Sequence, residues 1–392
     1  MNIRTDFPVL LNNPDTIYLD SACTSLKPIQ VIEAEGEYYK KLGACAGRSS
    51  HRLGRETNQK LDESREIVAK FIGANSEEII WTRNATEALN IVANGLDYSK
   101  RKKVITSTME HHSVLLPLMR LRDNGRIDLE IVRCDDEGNV DFSGSIDNET
   151  ALVVTHSWNN STGTGREIRS IAKMAHDSGA LICVDGAQGI PHHKADFKKE
   201  NVDFLCFSGH KMLAPTGIGA LACKKEYINK LAPLIVGGGT VKTVQPNKVV
   251  EMEDQTRFEG GIQHYAGIVG FAAACNYLNK IGMDEVEKHE QRLANAIYNE
   301  LTAVGAVIYG PKSSQKHGAL YSFGFKGAKA HDIALALDQE GVAVRSGFFC
   351  AQPAMEAMGA KEGAVRASGY VYNTVEDIEK LGKILEKIKK LY

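Results

Sequence analysis

Ala180-Leu-Ile-Cys-Val-Asp185, running into Gly186-Ala-Gln188, and Val202-Asp-Phe-Leu-Cys-Phe-Ser208, running into Gly209-His-Lys211, decide the fold. Both runs are short and almost wholly apolar, and both end in a polar group followed by glycine. A strand that is apolar on both faces must be covered on both faces, which is the signature of a parallel sheet between helices. The same rhythm extends outward. Glu77–Thr82, Lys103–Thr106, Ala151–Thr155 and Gly219–Cys223 read as strands, and Thr86–Ala93 and Arg166–Ser178 as helices. The expectation is an α/β chain with a mainly parallel sheet. Beyond about residue 270 the pattern changes. One long helical stretch, Ile268–Leu301, leads into short strands and helices. The chain closes on a helix over Thr374–Leu391, where Thr374 and Asp377 form a capping box. Residues 15–267 are therefore expected to form a large domain, and 268–392, with 1–14, a smaller α+β domain.

With 392 residues, the chain can bury a sizeable core. Lys plus Arg number 47 and Asp plus Glu 49. No global basic field exists, which argues against nucleic acid as the main partner. The N-terminus lacks a basic start before an apolar run, and no stretch is long and apolar enough to span a bilayer. A soluble, cytoplasmic protein without membrane contact is expected. None of the eight cysteines falls in a CxxC pair, so no metal site is expected. Cys183, Cys206 and Cys223 sit in apolar runs and read as small core hydrophobes. The adjacent His192-His193 are poor chelators of one ion.

In open parallel sheets ligands bind beyond the carboxyl ends of the strands. After Glu77–Thr82 comes Arg83-Asn-Ala-Thr-Glu87, a polar turn opening a helix. Thr86 there reads either as the N-cap or as a hydroxyl offered to an anion. Asp185 is either a turn residue or a carboxylate awaiting a cation, since a carboxylate on so apolar a strand is costly alone. Lys211, twenty-six residues on, is either a solvated loop lysine or a Schiff-base lysine. Together the three supply what pyridoxal 5'-phosphate (PLP) requires: an imine-forming lysine, a carboxylate for the pyridine nitrogen and an anion cradle.

The VDGAQ (184–188) and FSGHK (207–211) segments resemble the class V branch of fold-type I PLP-dependent transferases. So do YLDSACTSLKP (18–28), TRNATEALN (82–90), MEHHS (109–113), NNSTGT (159–164), RFEGG (257–261), RSGFFCAQP (345–353) and VRASGYVYNT (365–374). The likeness is nearest to the group II cysteine desulfurases, beside which stand the selenocysteine lyases. It implies that Lys211 carries PLP and moves protons. Asp185 would pair with the ring nitrogen, Gln188 with the ring hydroxyl, and His111 would stack on the ring. Ala85 N–H, Thr86, Ser208 and His210 would hold the phosphate. Asn160 would lie near substrate and ring oxygen, Arg366 would clamp the substrate carboxylate, and Arg345 and Arg48 would line the entrance.

In that group a cysteine in an RxGxxC loop receives the substrate's sulfur, and Arg345-Ser-Gly-Phe-Phe-Cys350 has this spacing. A buried structural thiol is the alternative reading of Cys350. The resemblance implies a homodimer that converts L-cysteine to alanine, leaves a persulfide on Cys350 and passes it to a sulfur-acceptor protein for iron–sulfur cluster assembly or thiolation. Its rivals are a selenocysteine lyase or another class V aminotransferase, lyase or epimerase, and, from a different class, a non-catalytic scaffold. The sequence departs from the group twice. Phe348 and Phe349 stand where relatives carry histidines, which is expected to make the entrance apolar. Ile262 stands where a threonine reaches the neighbouring subunit's phosphate.

Overall fold

The computed structural model describes residues 3–390 except residue 316. Its centre is a seven-stranded sheet. Across the sheet the order is Ile79–Thr82, Gly219–Cys223, Phe204–Ser208, Leu181–Asp185, Thr150–His156, Lys103–Ser107 and Asp128–Val132. Only Gly219–Cys223 runs against its neighbours. The five strands from Phe204–Ser208 to Asp128–Val132 pair in parallel, and Ile79–Thr82 pairs only with Gly219–Cys223. Ile182, Val184, Phe204, Leu205, Cys206 and Phe207 are essentially sealed from solvent. Burying an aliphatic or aromatic side chain of this size contributes ~1.5–3 kcal/mol, which is why these two strands needed no alternation. Cys183, Cys206 and Cys223 are buried among them, as expected.

Two elements differ from the sequence reading. Asp128–Val132, at the sheet's edge, was not anticipated. It is half-buried and carries acidic residues at alternate positions, so it lacks the continuous apolar run of the inner strands. The expected single helix over 268–301 is two helices, Tyr265–Ile281 and Met283–Ala303. Gly282 separates them at φ +88°, in the left-handed region that glycine enters without steric cost. The closing helix Val375–Lys389 begins with the expected capping box. Thr374 Oγ1 accepts from Asp377 N, and Asp377 Oδ2 accepts from Thr374 N.

A second, antiparallel sheet has the order Val307–Tyr309, Leu320–Gly324, Ala364–Ser368, Arg345–Gly347. The N-terminal segment stitches it to the central sheet. Ile17 and Tyr18 pair with Val342 and Ala343, and Asp20 bridges to Ser368. Directly beyond lies the turn Asp20–Ser25. Its Ser25 N–H and Oγ both donate to the carbonyl of His210, at 3.0 Å each. One short polar turn is thus bonded to both sheets. Among the described residues no helix is long and apolar enough to cross a membrane.

Candidate active site

Three strand ends meet at one cavity of about 220 Å³, lined on its floor and walls by Asp185, Ser208, Lys211 and His156. Also on its wall are Ala85, Thr86, His111, Asn160, Gln188, His210, Arg345, Arg366 and Cys350. Every site residue taken from the sequence therefore falls on this cavity except Arg48, which is not among the described residues lining it.

Asp185 Oδ1 accepts from Ala187 N–H at 2.9 Å. Burial raises the Asp185 pKa, against the pull of that N–H and of the Lys211 ammonium. Burial likewise lowers the pKa of Lys211, with Asp185 opposing and Arg366 adding to the fall. Each group is thus held toward its neutral form by desolvation and toward its charged form by the other. A lysine so placed is nearer to a free amine than one in water, as a Schiff-base lysine must be.

The anion cradle is built at the start of helix Ala85–Gly95. Its cap is Asn84, whose Oδ1 accepts from Glu87 N at 3.0 Å, so Thr86 is not the N-cap. Thr86 lies in the first turn, exposed, with its hydroxyl 2.7 Å from that of Ser113. Ala85 N–H donates to Ser208 Oγ at 2.8 Å, which leaves the Ser208 proton free to turn toward an anion. The helix dipole adds to the attraction.

His111 caps helix His112–Asp123, its Nδ1 accepting from Ser113 N at 3.0 Å. That bond leaves the ring proton on Nε2. Burial, then Lys211, His112 and Arg366, push its pKa down to about 3. Burial, with Lys211 and Lys27, pushes His210 down to about 4. Both rings are therefore neutral at pH 7. A group whose folded pKa is depressed keeps its stability contribution above the unfolded value and loses it as pH falls, because the unfolded chain binds protons the folded chain refuses. The cofactor-free protein should accordingly lose thermal stability as pH falls from 6.5 to about 4 through His210 and to about 3 through His111. His111→Asn, which preserves a capping oxygen, should flatten that loss measurably in melting curves across this range. Parallel curves for the two proteins would show that His111 is not held neutral.

On the facing wall Arg345 and Arg366 are cross-strand partners. Like charges directly opposite repel. Asp20 lies between them, 3.6 Å from Arg345 Nη1 and 3.4 Å from Arg366 Nη2. Arg366 Nη1 donates to the Asn160 carbonyl at 2.9 Å. Its guanidinium lies 4.9 Å from the centre of the Phe349 ring. Its Nε is buried without a partner, a donor ready for a carboxylate.

The Cys350 arm is strained. Phe349 and Cys350 both have left-handed backbones, φ +55° and +56°. Such residues cost ~1–3 kcal/mol each and persist only when their surroundings over-determine them. Here Asn160 Nδ2 donates to the Phe349 carbonyl at 2.8 Å and His112 N–H to that of Cys350 at 2.7 Å. The result is a buried Phe349 and an exposed Cys350. The buried-thiol reading of Cys350 is thereby excluded. Phe349 packs against Met355, Ala360 and Ala364 on one side and lines the cavity beside Cys350 on the other, so the wall next to the thiol is apolar.

His156 was missed. It ends its strand beside Asp185 in register, and its Nδ1 lies 2.8 Å from Glu110 Oε2. Burial opposes ionisation of Glu110, but His156 and Arg166 hold its pKa down to about 2. The rule that singled out Asp185 at a strand end would have found His156 too. His192 and His193 do not share a ligand: His192 Nδ1 is 2.6 Å from Glu290, while His193 stacks on Trp158 at 3.6 Å.

A carboxylate, a desolvated lysine, a neutral imidazole and a hydroxyl cluster at a helix start form the donor set that a phosphorylated pyridine requires, and these residues fit PLP. The chain belongs to the class V aminotransferase family, whose model matches residues 17–381. Within that family it is similar to proteins described as cysteine desulfurases. A probable cysteine desulfurase of Pyrococcus abyssi is 39% identical, the match covering 99% of this chain and 97% of the relative. A cysteine desulfurase of Haloferax volcanii is 36% identical over 100% of this chain and 97% of its own. Among solved structures, the apo cysteine desulfurase of Thermococcus onnurineus superposes with a TM-score of 0.95 at 39% identity, covering 100% of this chain and 98% of its own. A cysteine desulfurase of Escherichia coli, in an S-sulfonic acid form, gives 0.91 at 29% identity over 99% and 98%. The fold is thus the α/β fold of this family, as expected.

Proposed function

We propose that this chain is a PLP-dependent cysteine desulfurase that takes sulfur from L-cysteine onto Cys350 and releases L-alanine. The observation that carries the reading is an exposed thiol on a pinned, left-handed arm, lining the same cavity as Lys211, Asp185 and Arg366. Relatives described as cysteine desulfurases along the whole chain support it.

Lys211, Asp185, Gln188, His111, Ala85, Thr86, Ser208 and His210 would hold the cofactor. When bound, PLP supplies an electron sink that makes the substrate's Cα proton acidic. Asp185 keeps a negative charge where a ring nitrogen needs a proton. Arg366 and Arg345 orient the substrate carboxylate, with Asn160 holding Arg366 through its carbonyl and the Cys350 arm through its amide. Lys211 takes the proton from Cα and returns one to carbon. The Cys350 sulfur attacks the substrate Sγ, the Cβ–Sγ bond breaks, and the electron pair left on carbon takes up a proton. Cysteine and a thiol become alanine and a persulfide, with nothing else consumed. Incubation with L-cysteine, measuring alanine and persulfide together, tests this reading; pyruvate and free sulfide in their place would overturn it.

We further propose residues 15–267 as the cofactor-binding unit and 268–392, with 1–14, as the smaller one. The chain is assigned to the cytoplasm, with the persulfide passing to an acceptor protein for iron–sulfur assembly or thiolation. The working unit is a homodimer. Leu234, Ile235, Val236, Val244, Val249 and Ile262 are all exposed within one segment, Ile262 at 73%. Apolar surface of this kind marks an interface. Ile262 cannot donate to a neighbour's phosphate as threonine would, so its contribution is contact area. Sedimentation should give twice the chain mass, and Ile262→Lys should shift the protein toward monomer. A fully active monomer at working concentration would rule the dimer out.

A further inference from the structure

The cavity holds a second thiol that the reaction above does not use. Cys23 lines it together with Cys350, half-buried and free. Its turn is held from both sides. Cys23 N–H donates to Asp20 O and Ala22 N–H to Ser368 Oγ, both at 3.0 Å. Gln188 Nε2 donates to Ala22 O at 2.8 Å, and Ser21 Oγ lies 2.7 Å from Tyr372 Oη. Cys23 shares the cavity wall with Lys211 and Arg366. Arg366 Nε is buried in this wall without a partner; it meets the substrate carboxylate in the reaction above and is left as an unpaired cationic donor once alanine has gone. Cys350, by contrast, is exposed at the cavity's rim.

Resting on the reading of Cys350 as first sulfur acceptor, we propose that Cys23 is a second holding site for sulfane sulfur, loaded from the Cys350 persulfide. The persulfide extends the Cys350 arm by one S–S bond, ~2 Å, so its outer sulfur is what a thiol across the cavity meets first. Cys23 thiolate attacks that outer sulfur. A bond forms between it and Cys23 Sγ as its bond to Cys350 Sγ breaks, and the electron pair leaves on Cys350 as thiolate. The proton lost by Cys23 balances the one Cys350 regains. One thiol and one persulfide exchange identities, with no oxidant or reductant. Cys350 is then free to accept sulfur from a second L-cysteine, and the chain stores two sulfurs.

The test is a single loading of PLP-saturated protein with L-cysteine and no acceptor, followed by alkylation and peptide mapping. Mapping is needed because Cys45 is also exposed and Cys134 half-buried. Wild type should carry an added sulfur on both the Cys23 and the Cys350 peptides and release a burst of two alanines per chain. Cys23→Ala should release a burst of one. Cys350→Ser should leave the Cys23 peptide unloaded. Added sulfur on the Cys350 peptide alone in wild type, a Cys23–Cys350 disulfide with released sulfide, or loading of Cys23 in Cys350→Ser would each overturn the proposal. If wild type makes no alanine at all, the desulfurase reading fails first; if alanine forms and Cys350 is loaded without Cys23, only the second site fails.

Discussion

Turnover of L-cysteine by Lys211→Ala is expected to fall by at least ~10³-fold, the scale on which a positioned proton carrier contributes. The loss should be chemical rather than structural. Lys211 accepts and donates no side-chain bond that holds the fold, whereas the cradle of Ala85, Thr86, Ser208 and the carboxylate of Asp185 rests on bonds that do not involve it. The variant should therefore still bind PLP, noncovalently and more weakly. It also removes the cation that helps hold Asp185 ionised, so part of the weakening should come from a carboxyl left closer to neutrality. Borohydride treatment followed by mass spectrometry separates the cases. Wild type should retain the cofactor on the Lys211 peptide and the variant on none. Cofactor fixed to any other lysine in wild type would remove Lys211 from this role.

Cys350→Ser should abolish persulfide and alanine formation from L-cysteine while leaving cofactor binding intact. Serine cannot hold a second sulfur, and no bond of the PLP cradle passes through the Cys350 side chain. The backbone matters here. The arm's bonds from His112 and Asn160 are to carbonyls, so the left-handed turn should survive the substitution and the loss can be read as loss of sulfur. Selenocysteine, whose selenium leaves more readily, can still be consumed by the variant. Full alanine production from L-cysteine by the serine variant would leave a general β-lyase in place of a desulfurase.

Much of this site was legible because its polar groups end strands that are otherwise continuous apolar runs. Asp185 and Lys211 stand out against ICV and LCF, and a carboxylate or lysine there asks for a reason. His156 follows the same logic but was masked by the polar Thr155 before it, which blurs the strand's end. The edge strand Asp128–Val132 carries the acidic–apolar alternation of a half-buried strand, which a search for continuous apolar runs passes over. The break at Gly282 needed a backbone angle, not a pattern. The inward turn of Phe349 could not be read at all, since it depends on partners at residues 112 and 160 that only the fold brings near. Arg48 matched a familiar segment, yet in this chain that segment leads into the helix Arg52–Phe71, capped by His51, and does not reach the cavity wall.

The turn at Asp20–Ser25 has a consequence for the order in which the protein is made. Ile17 and Tyr18 find their partners at Val342 and Ala343, and Asp20, Ser21 and Ala22 find theirs at Ser368 and Tyr372. A ribosome releases these partners long after the turn itself. Until then the growing chain can assemble the strands that carry Asp185 and Lys211, but it has neither the arginine that grips a substrate nor the turn that closes on it. Domains fold as units during synthesis, N-terminal first, and contacts between distant residues come late. The site is therefore completed only once the strand carrying Arg366 has joined Asp20–Ser25.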